Sequence, residues 1–311
     1  MATSLEKKIS YNKTQSRKFE WTPDWFGASG FDEDLINKIT AFQLNNGLSG
    51  DGMCGPSTYR RLFTERESNI SEYEPDPPTT MVGPFNTIVH DGHHHVIHWD
   101  KVKLWDEKGG LKSKSGCYTS YAGKEDRNPT FFVNHWDVTL SAKYCSQILD
   151  KRGISVHYCL DNDGTIYQLL DTQHTAWHAG GRNWNHSSIG IEISDAYSLK
   201  YQSWYEKRGF GSRPIWKNAK VHGKTLDPFL GFYDVQLDAL AALWEAISRA
   251  CGIPLEIPSV APGIDPRAKD NDITGFCCHY HLTTKKIDCA GLDLQLILDK
   301  ALAIRKKHEE E

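Results

Sequence analysis

The stretch from Cys278 to Gly291 packs two histidines, two lysines, an aspartate and two cysteines into fourteen residues. That mixture of imidazole, carboxylate and thiol suits a zinc ion, and a lysine beside it suits a developing negative charge. A catalytic zinc takes three protein ligands and keeps a fourth position for water, so a loop that supplies two donors needs a third from elsewhere. His135 is the best candidate. It ends the run Phe131-Phe132-Val133-Asn134-His135, whose aromatic and β-branched residues read as a buried strand, and a donor at a strand end is held rigidly. One histidine among fourteen is ordinarily a surface or core residue; the combination singles this one out.

A second group comes from residues 188–194. Side chains alternate along a strand, so Ile189, Ile191 and Ile193 share one face while Gly190 and Glu192 share the other. An unpaired buried carboxylate is expensive, and Glu192 therefore faces either solvent or a polar cleft. Trp177, His178 and Asn185 are types that stack on and hydrogen-bond to a ligand, although packing and loop capping explain them equally well. His157 alternates with apolar neighbours and reads as a core histidine. His93, His94, His95 and His98 read as a strand edge or a fortuitous cluster.

The elements that must position these residues follow from pattern. Residues 155–161 and 165–170 read as two strands joined by the hairpin signal Asn162-Asp163-Gly164. Leu237, Leu240, Trp244, Ile247 and Cys251 have helical spacing, with Gly252 as a stop, and a last helix carries Leu294, Ile297, Leu298, Ala301 and Ile304. Strands alternating with helices indicate an α/β layered domain. Residues 69–85 are acidic and proline-rich, as an extended linker is. The expected organisation is a helical domain at 1–68, a linker at 69–85 and a catalytic domain at 86–311. Upstream, Leu35, Ile36, Ile39, Phe42 and Gln43 lie on one helix, a glycine-rich turn follows, and Pro56 opens another helix.

A length of 311 residues accommodates such a pair of domains, and 39% hydrophobic with 24% charged residues is ordinary globular composition. A formal charge of −4 gives no reason to expect nucleic acid as a partner. No stretch approaches a transmembrane span, and the polar residues after Met1 are unlike a secretory signal peptide. The eight cysteines form no C-x-x-C pair or regular framework, which favours reduced thiols and synthesis in the cytoplasm.

Two family resemblances emerge. Phe42-Gln43, Gly47-Leu48, Asp51-Gly52 and Gly55-Pro56-Ser57-Thr58 resemble the peptidoglycan-binding domain, over about thirty residues. Val156-His157-Tyr158, Asp163-Gly164-Thr165-Ile166-Tyr167-Gln168, Ala176-Trp177-His178-Ala179-Gly180 and Asn185 to Glu192 resemble, in order and spacing, the zinc-dependent N-acetylmuramoyl-L-alanine amidases of type 2, over roughly residues 130 to 300. The resemblance implies a central mixed β-sheet flanked by helices, with His135 and His279 as zinc ligands. The third ligand follows a lysine by two positions, which implies Lys286 and Asp288; Cys289, standing where a proline is common, is the competitor. Glu192 then acts as general base and acid, Lys286 stabilises the oxyanion in preference to Lys285, and Trp177, His178 and Asn185 contact substrate.

The resulting expectation is a monomeric, phage endolysin-like zinc amidase that cuts peptidoglycan between N-acetylmuramic acid and L-alanine without entering a membrane. It would be made in the cytoplasm and reach the wall by release or delivery. A non-catalytic wall-recognition protein on the same fold and a recycling amidase acting on soluble muropeptides are the alternatives.

Overall fold

The computed structural model describes residues 3–70, 86–121 and 127–309. Its chain divides into two compact units, Met1–Ser71 and Glu72–Glu311. Most of the expected linker, residues 71–85, lies outside the described residues. Among the described residues, no helix is long and apolar enough to cross a membrane.

The first unit is helical. Sequence pattern had left α1 (Ser4–Phe19) unassigned, because it buries only Asn12 and Phe19 and its apolar periodicity is faint. A reciprocal cap starts it: Glu6 N donates to Thr3 Oγ1 at 3.2 Å, and Thr3 N donates to Glu6 Oε2 at 2.7 Å. α2 (Glu33–Asn45) begins at Asp32, whose Oδ1 accepts from Leu35 N, and α3 (Pro56–Ser68) begins with proline at its first turn. The short glycine-containing motifs between them serve the fold. Gln43 is buried; its Nε2 donates to Asp51 Oδ1, Met53 O and Thr58 Oγ1, while its Oε1 accepts from Gly52 N. Gly52 sits at φ +71°, and a Cβ there would stand 2.7 Å from Ile36 Cγ2, so both conformation and space demand glycine.

The second unit is built on a mixed sheet. Its strands in chain order are β1 (Asn86–His90), β2 (His93–Ile97), β3 (Val102–Leu104), β4 (Tyr118–Thr119), β5 (Phe131–Trp136), β6 (Tyr158–Leu160), β7 (Ile166–Gln168), β8 (Thr175–Ala176) and β9 (Ser188–Ile193). Then come β10 (Ile215–Trp216), β11 (Lys220–Val221), β12 (Lys224–Thr225), β13 (Phe229–Leu230) and β14 (Gly275–Cys278). Six of these form the main sheet in the order β14-β5-β9-β6-β7-β3. The first four of that order run parallel, β7 runs antiparallel to β6, and β3 runs parallel to β7. The hairpin joining β6 to β7 is the expected one, with shorter strands.

The isoleucine face of β9 packs against α7 (Asp234–Cys251) and α8 (Leu294–Glu309), together with Phe132, Trp136 and Phe276. Trp244 of α7 is fully buried, stacks on Phe276 at 4.5 Å, and donates Nε1–H to Asn134 Oδ1. Truncating such a residue costs about 3–5 kcal/mol. The opposite face is covered in part by α4 (Ala142–Arg152), through Cys145 and Leu149 against Cys159 and Tyr167. The histidine run falls on strand β2, where His93 and His94 are exposed and His94 Nδ1 pairs with Thr87 Oγ1. Residues 86–121 thus supply the hairpin β1–β2, the edge strand β3 and β4, which pairs with β8.

Candidate metal centre and adjoining cleft

Parallel strands ending side by side create a crevice beyond their carboxyl ends, where ligand sites of open α/β sheets form. Here β5 brings His135 to that edge, β9 brings Glu192, and the turn after β14 brings His279. His135 and His279 are each 2% exposed. Their rings lie 4.5 Å apart at 87°, and both Nδ1 atoms point at one oxygen of Asp288: Oδ2 is 3.0 Å from His135 Nδ1 and 3.2 Å from His279 Nδ1. These three form the only cluster of potential metal donors found among the described residues.

The donor set fits zinc. Two imidazoles and a carboxylate are a common three-ligand combination, and bonds of about 2.0–2.2 Å in tetrahedral geometry separate donor atoms by roughly 3.3–3.6 Å, close to the spacings here. Protonation fits as well. Burial, reinforced by His279, pushes His135 down to about 4, leaving its ring neutral despite the opposing pull of Asp288. Burial raises the Asp288 carboxyl, but His279 and His135 outweigh it and hold the group well below the usual carboxylate range. An ionised carboxylate beside the neutral ring of His135 is ready for a cation. Cys289 is turned away: its thiol is fully buried in the α7/α8 core beside Cys278, and burial pushes it well above its ordinary value.

Sequence reasoning placed His178 with the substrate-contacting groups. His178 is half-buried, and its ring packs where a Cβ on Gly190 would come within 2.5 Å of it. His178 Nδ1 is 3.0 Å from His135 Nε2, and its Nε2 is 3.2 Å from Ser188 Oγ. Burial, then the neighbouring His135 and His157, hold His178 well below its usual value and therefore neutral. With His178 Nδ1 as acceptor, His135 carries its proton on Nε2 and leaves the Nδ1 lone pair toward Asp288. His157 is a satisfied core residue: Nε2 donates to His174 O at 2.9 Å and Nδ1 accepts from Gly190 N at 3.1 Å.

Glu192 is Cα-paired with His135 across β5 and β9, and with Cys159 across β9 and β6, so it projects from the same sheet face as His135. At 8% exposure it does not lie on a solvated face. Lys286 is half-buried, and its charge is felt at His135. Its carbonyl accepts from His222 Nε2 at 2.9 Å, whereas Lys285 is exposed.

Trp177 and Asn185 line a cleft of about 810 Å³. Asn185 Oδ1 accepts from His178 N and Ala179 N, so this side chain caps the loop that carries His178. Gly180, also on the cleft wall, would place a Cβ 4.0 Å from His279 Nε2, which ties the cleft to the metal centre. Two organising residues escaped sequence reasoning. Arg127 is buried and donates to the carbonyls of Thr172, Asn185, His186 and Ser188, pinning the loop between β7 and β9. Asp137 accepts from Thr139 N and Asp195 N on one oxygen and from Thr139 Oγ1 and Ser194 Oγ on the other, joining the loops after β5 and β9.

RC0497 of Rickettsia conorii, named for N-acetylmuramoyl-L-alanine amidase, is 32% identical over 102 residues, which are 30% of this chain and 38% of that protein. The match thus spans well under half of the relative's length. Among solved structures, a selenomethionine AmpD derivative is 20% identical, with a TM-score of 0.35, over 64% of this chain and 98% of its own. The endolysin amidase LysCS of Clostridium intestinale is 17% identical, with a TM-score of 0.37, over 65% and 96%. The family model described as N-acetylmuramoyl-L-alanine amidase matches residues 125–286, just over half of the chain, and on that match the chain belongs to the N-acetylmuramoyl-L-alanine amidase family.

Proposed function

We propose that this chain is a zinc-dependent peptidoglycan hydrolase that cleaves the amide between N-acetylmuramic acid and L-alanine and acts in cell-wall lysis, with its N-terminal unit holding the wall polymer. The carrying observation is the convergence of His135 Nδ1, His279 Nδ1 and Asp288 Oδ2 beside the strand that presents Glu192. These three residues hold the metal. Zinc there would polarise the scissile carbonyl and lower the pKa of a bound water.

The chain's own groups supply the rest. The Glu192 carboxylate accepts the proton of the attacking water and then delivers it to the departing amide nitrogen. The Lys286 ammonium contributes positive charge where the carbonyl oxygen becomes anionic. His178 fixes the tautomer of His135, and Trp177 forms one wall for the substrate. The module at 1–68 carries the resemblance to peptidoglycan-binding domains, which favours a polymer over a soluble muropeptide.

Digestion of purified sacculi by the zinc-loaded protein tests this reading. Mass spectrometry should find stem peptides beginning with free L-alanine and glycan strands without new reducing ends. New reducing ends alone, or no release at all, would overturn it.

A further inference from the structure

Between β9 and α7 the chain makes an excursion that carries β10 to β13, and it bears the only exposed tryptophan among the described residues. Trp216 is 40% exposed, and Ile215 beside it on β10 is 47% exposed. The indole is nevertheless fixed. A Cβ on Gly231 or on Gly291 would stand 2.8 Å from its Cδ1, so the ring is seated against two backbones that lack side chains. Gly291 follows Asp288 by three positions, and the hairpin β11–β12 is held to the same loop by His222 Nε2, which donates to Lys286 O. His222 N donates to Pro262 O at 3.0 Å, and Ile264, close by in sequence, is exposed as well. Neither Ile215, Trp216 nor Ile264 lines the cleft that holds Trp177.

Positive charge gathers at the same place. Residues 214–228 contain Lys217, Lys220 and Lys224, a single acid, Asp227, and no arginine, and Lys285 adds to them from the loop that His222 holds. All four lysines are exposed. Lys38, Lys101 and Lys300 pair with carboxylates elsewhere, whereas none of these four does among the described residues. The chain as a whole carries −4, so the patch is a local reversal of sign. With a Debye length of about 10 Å in ~0.1 M salt, acids on distant surfaces hardly offset it. The absence of arginine from residues 214–228 is informative. Protein–protein interfaces favour arginine and are depleted of lysine, and bidentate recognition of one phosphate likewise calls for arginine. Lysine is a hydrated point charge on a long apolar stem, which suits diffuse attraction to an anionic surface.

We infer that Ile215 and Trp216, with Lys217, Lys220, Lys224 and Lys285, form a surface that docks the second unit on an anionic phospholipid bilayer. Tryptophan settles at the headgroup level of a membrane, where its apolar ring and polar N–H are both accommodated. The seated indole and Ile215 sit among the headgroups, the lysines face lipid phosphates, and no segment enters the hydrocarbon core. Lys285 and Gly291 flank Asp288, so docking holds the proposed metal centre close to the membrane surface. Docking concerns where the protein works rather than which bond it cuts, and so does not depend on the amidase reading.

Flotation of the full chain with vesicles tests the surface. Vesicles of phosphatidylethanolamine with about one-quarter phosphatidylglycerol should bind it, phosphatidylcholine vesicles should not, and raising salt from about 0.05 M to about 0.5 M should release it. The combined variant Lys217→Gln, Lys220→Gln, Lys224→Gln should bind about 100-fold more weakly, since each lysine near an anionic leaflet contributes roughly fivefold. Lys285→Gln, on a separate segment, should lose about fivefold even if the triple variant fails to fold. Trp216→Ser should lose about tenfold, whereas Trp216→Phe, which keeps an aromatic ring in the seat, should retain most of the affinity. Absence of binding to the anionic vesicles, equal binding to phosphatidylcholine, or unchanged binding in the triple variant overturns the surface. Binding to soluble polyphosphate, with vesicle binding unaffected by Trp216→Ser, would also overturn it, in favour of a general polyanion site. Lipid-free sacculi are digested in parallel. Lost vesicle binding with undiminished digestion in the triple variant supports the surface, and vesicle binding by a wild type that digests nothing would defeat the amidase reading and leave the surface standing.

Discussion

His135 and Glu192 are direct Cα partners on adjacent parallel strands, so a donor to the proposed metal and the proposed proton carrier are fixed to each other by sheet register. Register within a buried sheet is strongly specified, because a one-residue slip of either strand would send its own side chain to the opposite face and part the pair. Glu192→Gln is therefore expected to keep fold and zinc while hydrolysis falls by roughly two or more orders of magnitude. Near wild-type turnover in this variant would remove Glu192 from the mechanism.

The metal assignment makes a divided forecast. Purified protein should carry one zinc per chain by elemental analysis, and His135→Ala, His279→Ala and Asp288→Ala should each lose most of it. Cys289→Ser should retain it, because that thiol sits in the core beside Cys278. A sulfur scatterer at about 2.3 Å in zinc absorption spectra would restore Cys289 as the ligand.

His178 and His222 act at one remove. Loss of the His178 contact to His135 Nε2 in His178→Phe should weaken zinc binding about 10–100-fold, with circular dichroism unchanged. His222→Ala frees the Lys286 carbonyl and should lower kcat with little change in zinc content, and His222→Gln, which can still donate, should recover part of the loss. Equal loss in both His222 variants would mean that the contact merely stabilises the fold.

His157 supplies a pH signature. Burial, with Arg127 next, lowers its folded-state pKa well below the ordinary value, so beneath about pH 6.5 the unfolded chain binds the extra proton. Stability is fully present above that pH and declines as pH falls, by up to about 1.4 kcal/mol per unit for this one group. Metal-free wild type should therefore lose stability between pH 6.5 and 5 more steeply than His157→Gln. Parallel denaturation curves would contradict this account.

What could be read from sequence was whatever local spacing encodes. The alternation in residues 188–194 separates Glu192 from the isoleucines, while the preference for Asp288 over Cys289 came from the resemblance to type 2 amidases. What could not be read depends on partners far along the chain. Arg127 is one arginine in a polar stretch until the carbonyls of residues 172–188 close around it. The His178 contact depends on a donor on β5, 43 residues away, and the strand β3 pairs across more than 60 residues with β7. α1 was missed for a different reason: its cap is encoded at Thr3 and Glu6, but its buried face is too sparse to produce a periodic signal.

Gly190 has no functional group, yet the His178 ring occupies the space where its side chain would be. Adding a single methyl there forces the ring away from His135 or the strand away from its neighbours. Gly190→Ala should consequently behave as a zinc-deficient protein although no coordinating atom has been altered. In a mutational screen scored by lysis, this position would be grouped with the ligands, and only metal analysis of the purified variant would reveal that its intolerance is steric.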